Sequence, residues 1–329
     1  MYIPSWYGRS SGHKWVALKI LAAHGEEPSE IRNMQYLKEK SSDWLFMKCI
    51  VDLIHIFVFE GPNGLHSCLV LELVGPSFGL IQASYIDFNH YSHYLEFGNT
   101  EFNNSDHFLE IECPVIIRST TQILTASKFM QNLKMCHGGI SSAHIAFTCP
   151  SRLRNADEQN VFEVMGSPQV VPLERKDGVP LGKGLPKELI QSAQWPGYLD
   201  EDQYHVRLIG FGKSFLYGDE PDNPKQPVHL RCPESIMGNK LDYRVDLWHA
   251  GCFIYQLLMS EPPFPGLSDS YEHIKSIIGF VEDLPVEWES KMEELRLISE
   301  QNRALEKSQV TDKETTEDLE QTLKHQQML

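Results

Sequence analysis

The 329-residue sequence predicts an α+β protein. Three observations carry that prediction. Short β-rich runs crowd the first 75 residues, and segments of helical period take over after residue 113. The composition is that of a soluble globular chain, with 41 % hydrophobic, 10 % aromatic and 22 % charged residues. A chain of this length holds one large domain or two ordinary ones, with a sizeable core.

In chain order, residues 15–21 (WVALKIL) predict a short buried strand. Pro28 and Ser29 open a short helix over 28–38, in which Ile31, Met34, Tyr36 and Leu37 fall at helical spacing. Two β-rich runs, 50–59 and 67–74, flank the turn residues Gly61-Pro62-Asn63-Gly64. Residues 84–110, rich in Asn, His, Tyr, Phe and Ser without clear period, read as an inserted loop. Pro114 to Lys134 predicts a helix whose apolar face is Ile116, Ile117, Thr120, Ile123, Leu124, Phe129 and Leu133. Residues 150–202 read as loop, 204–209 as a strand and 218–227 as a polar loop. Residues 244–259 (RVDLWHAGCFIYQLLM) predict a strongly apolar helix at the centre of a core. Beyond about 288 the chain is helical in propensity and increasingly polar.

Asp plus Glu number 45 against 29 Lys plus Arg, a net charge of −16. That excess argues against a general nucleic-acid surface, because phosphate binding needs clustered positive charge. It leaves two readings open, a basic partner or solubility alone. From Val281 onward there are 13 acidic and 6 basic residues, net −7; subtracting them from the totals leaves 32 and 23, net −9. A basic partner is therefore favoured only by the smaller figure. Seven cysteines, at 49, 68, 113, 136, 149, 232 and 252, form no C-x-x-C pair. That speaks against zinc, and reduced thiols in an intracellular protein, cytoplasmic or nuclear, are expected. The opening MYIPSWYGRSSGHKW has no apolar h-region, and no run reaches the roughly 18 apolar residues of a membrane span. Neither a secretory signal nor membrane insertion is expected.

Five stretches stand out, each with an ordinary reading of its own. Lys19 in Val16-Ala17-Leu18-Lys19 reads by itself as a lysine snorkelling from a strand edge. Leu69 to Ser77, LVLELVGPS, reads as a strand ending in a turn. The others are His137-Gly138-Gly139-Ile140-Ser141-Ser142-Ala143-His144, Val206 to Gly212 (VRLIGFG), and Leu230 to Glu234 (LRCPE) followed by Leu241 to Trp248 (LDYRVDLW) and Gly251-Cys252. In this order they resemble the V-A-I-K strand, hinge, catalytic loop, D-F-G and A-P-E segments of protein kinases. The likeness is closest to the fungal SR-protein-kinase-like serine/threonine kinases and spans roughly residues 15–290.

The resemblance implies a two-lobed kinase fold. A short, incomplete β-rich N-lobe and hinge would occupy 1–74, and a mainly helical C-lobe 75–290 with the insert near 84–110. A polar acidic helical tail would occupy 291–329. It further implies that Lys19 touches the α- and β-phosphates of ATP and pairs with Glu30, and that backbone groups of Glu72 and Val74 face the adenine. Asp246 would cap the catalytic loop through backbone N–H groups, and Glu234 would anchor the activation segment. His137, Phe211, Gly212, Pro233, Trp248 and Gly251 would be scaffold.

The departures fall on the chemistry. Gly139 stands where the family has the Asp that receives the substrate hydroxyl proton, His144 where it has a magnesium-binding Asn, and Gly210 where it has the magnesium-binding Asp. Magnesium demands oxygen ligands, and an imidazole nitrogen suits zinc or copper better. Only 18 residues precede Lys19, short of the two strands and G-x-G-x-x-G loop of the family, and Gly8 and Gly12 do not match its spacing. No late Arg is identifiable as the partner of Glu234. The expectation is a pseudokinase with weak or no ATP binding and no magnesium site, acting through a protein partner, with basic Arg/Ser-rich segments as candidates and no direct nucleic-acid or membrane contact. Two alternatives remain open. One is a residually active serine/threonine kinase using Asp200 or Asp202, and the other a decayed or mis-spliced kinase fragment. A transition-metal site drawn from His90, His93 and His107 with His137 or His144 is weighed against solvated loop histidines, because no local spacing matches a known site.

Overall fold

The computed structural model describes residues 6–9, 15–23, 28–40, 48–82, 113–150, 153, 156–191, 193, 205–222, 224–264, 266–280 and 283–305. The expected insert at 84–110, with His90, His93 and His107, lies outside the described residues, as do Asp200, Asp202 and the chain beyond 305. Contacts divide the chain into two units, residues 1–226 with 241–262, and residues 227–240 with 263–329.

The first unit begins with a four-stranded antiparallel sheet. Strands β1 (Trp6–Arg9) and β2 (Trp15–Ile20) are followed by helix α1 (Ser29–Lys40) and strands β3 (Leu53–Gly61) and β4 (Gly64–Glu72), in the order β1-β2-β4-β3. Gly61 pairs with Gly64, so the hairpin turns on Pro62-Asn63 alone. β3 starts at Leu53 rather than 50 because Cys49 to Val51 bond elsewhere. Val51 N–H donates to Leu208 C=O at 3.0 Å, and Leu208 N–H to Cys49 C=O at 2.8 Å. Helix α1 has Glu30 in its first turn and Lys38 and Lys40 in its last, charges that complement the helix dipole. It buries Glu30, Ile31, Asn33, Met34 and Leu37.

Strand β5 (Val74–Ser77) leads to helix α2 (Cys113–Asn132) across the undescribed stretch. The expected face of α2 needs correction. Ile117 is 67 % and Leu124 40 % exposed, while Val115, Ser119, Ala126, Ser127 and Met130 join Ile116, Ile123 and Phe129 inside. Period alone left the stripe free to rotate, and packing selected the side with the smaller residues. Strand β6 (Met135–Cys136) and strand β7 (Ile145–Thr148) bracket the loop containing Gly139.

Residues 150–202, expected to be loop, hold regular structure. Helix α3 (Glu158–Met165) is capped by Asp157, whose carboxylate accepts from the Asn160 N–H at 2.9 Å, and strands β8 (Val170–Pro172) and β9 (Glu188–Ile190) form a hairpin. The Asp157 cap and the buried pair Val161 and Met165, four residues apart, are the signal that the Pro and Gly content obscured. Strand β10 (Val206–Leu208) pairs with β7, and β11 (Phe215–Leu216) with β6.

In the second unit, helix α4 (Pro233–Met237) has buried Pro233 at its start, the position where a missing N–H costs nothing. Helix α5 (Arg244–Met259) belongs to the first unit. It buries Val245, Asp246, His249, Ala250, Cys252, Phe253 and Leu257, but Leu247, Leu258 and Met259 are exposed, so it lies against a core rather than inside one. Phe78 joins the layers of that core, with its ring centroid 4.5 Å from Phe147 and 5.3 Å from Phe253.

Helix α6 (Ser270–Ile278) and helix α7 (289–305) complete the second unit. Asp269 caps α6 through the Glu272 N–H at 3.1 Å and accepts the Ser299 hydroxyl of α7 at 2.6 Å. Arg303 pairs with Glu272. Arg231 donates to the Ser270 hydroxyl at 3.2 Å, and its carbonyl receives His273 Nε2 at 3.2 Å. Among the described residues no basic side chain forms an ion pair with half-buried Glu234. Among them, too, no helix is long and apolar enough to cross a membrane.

Candidate functional site

Strand β2 and helix α1 bring together two of the singled-out residues. Lys19 Nζ lies 2.6 Å from Glu30 Oε1 and 2.8 Å from Oε2. Glu30 is 6 % exposed, and the ammonium supplies the charge that its buried carboxylate needs. Asn33, one turn further along the same face, donates to the Ser214 carbonyl at 2.7 Å. That bond ties α1 to the segment following Gly212.

The loop after β6 is held from below by α5. Buried Asp246 accepts the His137 N–H at 2.7 Å through Oδ2 and the Gly138 N–H at 2.9 Å through Oδ1. Burial pushes its carboxyl up to about 6, and the two N–H bonds work against that rise. His137 Nε2 donates to the Ile209 carbonyl at 3.0 Å, and the ring meets Phe211 edge-on at 4.9 Å. Burial, with His144 nearby, holds His137 well below the usual imidazole range, so it is neutral. Gly138 has φ +70°, and a Cβ there would lie 2.5 Å from the Lys213 carbonyl oxygen, so a side chain has no room.

The three departures from the family pattern meet at one point. His144 Nδ1 donates to the Gly139 carbonyl at 2.6 Å; a carbonyl only accepts, so the proton is on Nδ1 and Nε2 is the open edge. Gly210 sits at φ +81°, and a Cβ built on it would lie 2.4 Å from His144 Cδ2 and 2.9 Å from Nε2. The imidazole therefore fills the space that a side chain at 210 would use. Burial lowers the His144 pKa, the bond to Gly139 opposes this, and Lys213 and Lys19 lower it further. A Cβ on Gly139 would touch Lys213 Cδ at 3.2 Å, and one on Gly212 would lie 3.4 Å from Glu30 Oε2.

These residues do not fit magnesium. Positions 139 and 210 offer no side-chain oxygen, and the nitrogen at 144 points at a glycine. Among the described residues no group of three or more His, Cys, Asp or Glu could hold a metal ion of any kind.

The expected hinge residues are engaged within the fold. Glu72 donates its N–H to the Asp52 carbonyl at 3.0 Å, and Val74 is the ladder partner of Thr148. The Glu72 carboxylate accepts from Arg207 Nε at 2.8 Å and from the Asp52 N–H at 3.0 Å. Phe211 is fully buried, Gly212 exposed and Trp248 half-buried. A Cβ on Gly251 would meet nothing within 4 Å. Pro233 and Glu234 lie in the other unit.

Three residues of this region escaped the sequence reading: Asn33, Arg207 and Lys213. Asn33 had a signal, a polar residue among Ile31, Met34 and Leu37 on the face that carries Glu30. Arg207 is a charge within an otherwise apolar strand. Lys213 had only its place after Gly212.

The fold is that of a protein kinase domain. A crystal structure of a kinase domain matches 84 % of this chain and 65 % of its own length, with a TM-score of 0.54 and 17 % sequence identity. Among curated proteins, a serine/threonine protein kinase of Aspergillus fumigatus is 24 % identical over 271 residues, covering 79 % of this chain and 55 % of the relative. Protein kinase dsk1 of Schizosaccharomyces pombe is 24 % identical over 355 residues, covering 85 % of this chain and 63 % of dsk1. The serine/threonine-protein kinase SRPK of Physarum polycephalum is 23 % identical over 271 residues, covering 80 % and 58 %. No family model matches the chain. These likenesses support assignment to the protein kinase superfamily, as a kinase domain resembling SR-protein and related serine/threonine kinases. The chain spans between about half and two thirds of the length of these relatives.

Proposed function

We propose that the chain is a pseudokinase, a kinase domain that binds a protein partner and transfers no phosphate. One observation carries the reading: the His144 imidazole stands in the space of a side chain at 210. Phosphoryl transfer depends on positioning and on cations that neutralise developing charge, and the chain has no carboxylate for either task at 139 or 210. The parts that hold the catalytic loop remain, since Asp246 still bonds the His137 and Gly138 N–H groups. Retention of the frame beside loss of the reactive groups favours binding over catalysis. A basic Arg/Ser-rich segment is the proposed partner, in keeping with the acidic balance and with the resemblance to SR-protein kinases.

The test is transfer of labelled phosphate from ATP and magnesium to an Arg/Ser-rich peptide, read beside fluorescence anisotropy for binding of that peptide. The expected result is salt-sensitive binding with no transfer. Magnesium-dependent transfer would refute the proposal.

A further inference from the structure

Strand β3 closes one side of the four-stranded sheet, and among the described residues no strand pairs with its outer edge. The neighbouring ladder fixes which backbone groups line that edge. The Ser67 carbonyl accepts from the Leu21 N–H at 2.9 Å, so the backbone of Ser67 faces away from β3. Its cross-strand partner Val58 therefore points its own N–H and C=O outward, as do Ile56 and Glu60 on either side of it. Edge strands are ordinarily blunted by lysine, proline, shortness or a bulge. β3 runs nine residues without lysine or proline, and its one irregularity lies at the start, between Leu53 and His55. Beyond that point Phe57, Val58 and Phe59 are exposed, Val58 at 61 %.

We propose that this edge is a dimer interface, where β3 of a second copy of the chain pairs antiparallel about a two-fold axis through Val58. Charge selects the occupant. Each copy carries −16, so two copies repel except where charge is sparse, and residues 53–61 hold one formal charge, Glu60. With Val58 opposite Val58, Glu60 faces Ile56 of the second copy. The two Glu60 residues then lie about 14 Å apart along the strands, beyond the screening length of about 8 Å at physiological salt. A basic segment, by contrast, would meet a single carboxylate on this edge. In the same register Phe57 stands opposite Phe59 of the second copy, twice, on the face where the Phe57 ring stacks with His55 at 6.4 Å between centroids. The outward groups of 56, 58 and 60 meet those of 60, 58 and 56, which supplies the hydrogen bonds the edge lacks. Exposed Ile54, Phe57, Val58, Phe59 and Leu65 offer on the order of 500 Å² per copy, so a pair withdraws on the order of 1,000 Å², the lower end for a specific interface. The pairing is isologous and closes on itself, joining two four-stranded sheets without building a filament.

The full chain is followed by sedimentation equilibrium at micromolar to submillimolar concentration. The expected result is a monomer–dimer equilibrium with a Kd of about 1–100 μM, as suits an interface of this size. Raising the salt to about 0.5 M should leave it as tight or tighter, because the contact is apolar and the two copies carry like charge. Val58→Lys and Val58→Pro should each raise Kd at least about tenfold with the circular dichroism unchanged. Proline is tolerated there because the Val58 N–H points out of the sheet. Should Val58→Pro fail to fold, Val58→Lys decides, since it changes only an exposed side chain. Cys113, the exposed native thiol, is first replaced by Ser. In that background Val58→Cys should form an interchain disulfide under mild oxidation, because bonded cross-strand residues lie about 5.5 Å apart at Cα. Glu60→Cys should not, being offset from its own copy by four residues. The inference is overturned by a monomer at every concentration, by a dimer that both folded variants leave intact, by a dimer that salt dissolves, or by a disulfide through Glu60→Cys and none through Val58→Cys.

Discussion

Placing an aspartate at 210 is expected to destabilise the protein, and the cost is set by His144. The Gly210 backbone is left-handed at φ +81° and ψ 57°. A residue with a Cβ costs about 1–2 kcal/mol there, with Asp at the low end because its side chain can bond locally. The new Cβ would sit 2.4 Å from His144 Cδ2, so the ring must move. That ring is anchored by its 2.6 Å bond to the Gly139 carbonyl and lies against His137 at 5.8 Å between centroids. Displacing it adds an overpacking cost of about 1–3 kcal/mol and about 1 kcal/mol for the lost hydrogen bond. Gly210→Asp should therefore cost about 3–5 kcal/mol. His144→Asn in the same chain removes the ring and with it the clash, so the double variant should be more stable than the sum of the singles by about 2 kcal/mol. Urea denaturation of wild type, both singles and the double measures this coupling, with fluorescence and circular dichroism followed together to check for a single transition. Additivity within about 0.5 kcal/mol would refute the reasoning, because it would mean that positions 144 and 210 do not share a space.

Three further predictions follow from the same geometry. Asp246→Ala strips partners from two backbone N–H groups in a buried loop and should cost about 2–5 kcal/mol in the same denaturation experiment, with Asp246→Asn milder because one acceptor remains. Lys19→Met leaves Glu30 buried without a counter-charge. The expected loss is about 2 kcal/mol, below the 3–5 kcal/mol of a fully buried pair because the Lys19 side chain is 34 % exposed, and Lys19→Met with Glu30→Gln should recover part of it. Stability should also fall with acid. His137 and His144 have folded pKa values below the ordinary 6.5, so the unfolded chain binds more protons and stability drops as pH falls below about 6.5, by up to about 1.4 kcal/mol per unit for each. Asp246, raised to about 6, works in the opposite sense between 6 and 3.8, and denaturation midpoints at pH 7.5, 6.5 and 5.5 check the net decline.

Much of this protein is written in local pattern. The Pro62-Asn63 turn, the apolar strand around Lys19, the Ser29 helix start and the 244–259 helix all follow from periods and turn chemistry that a short window contains. The absence of side-chain oxygens at 139 and 210 is likewise a property of the chain alone, whatever its fold. Helix α3 and the β8–β9 hairpin were hidden because Pro, Gly and charged residues mask short elements. The buried face of α2 departs from its periodic stripe because a 3.6 period defines a stripe only to within the neighbours that pack on it.

What the tertiary structure decided is how the substituted positions act on each other. Gly139, His144, Gly210 and Lys213 are spread over 75 residues, and nothing in their spacing says that an imidazole fills the place of one side chain or that a lysine lies across another. Those facts arise because β7 and β10 pair, bringing the end of one loop beside the start of the next. The sequence determined that positions 139 and 210 carry no side-chain oxygen. Only the packing of distant segments determined what fills the space there, because excluded volume and charge act between neighbours in space rather than neighbours in the chain.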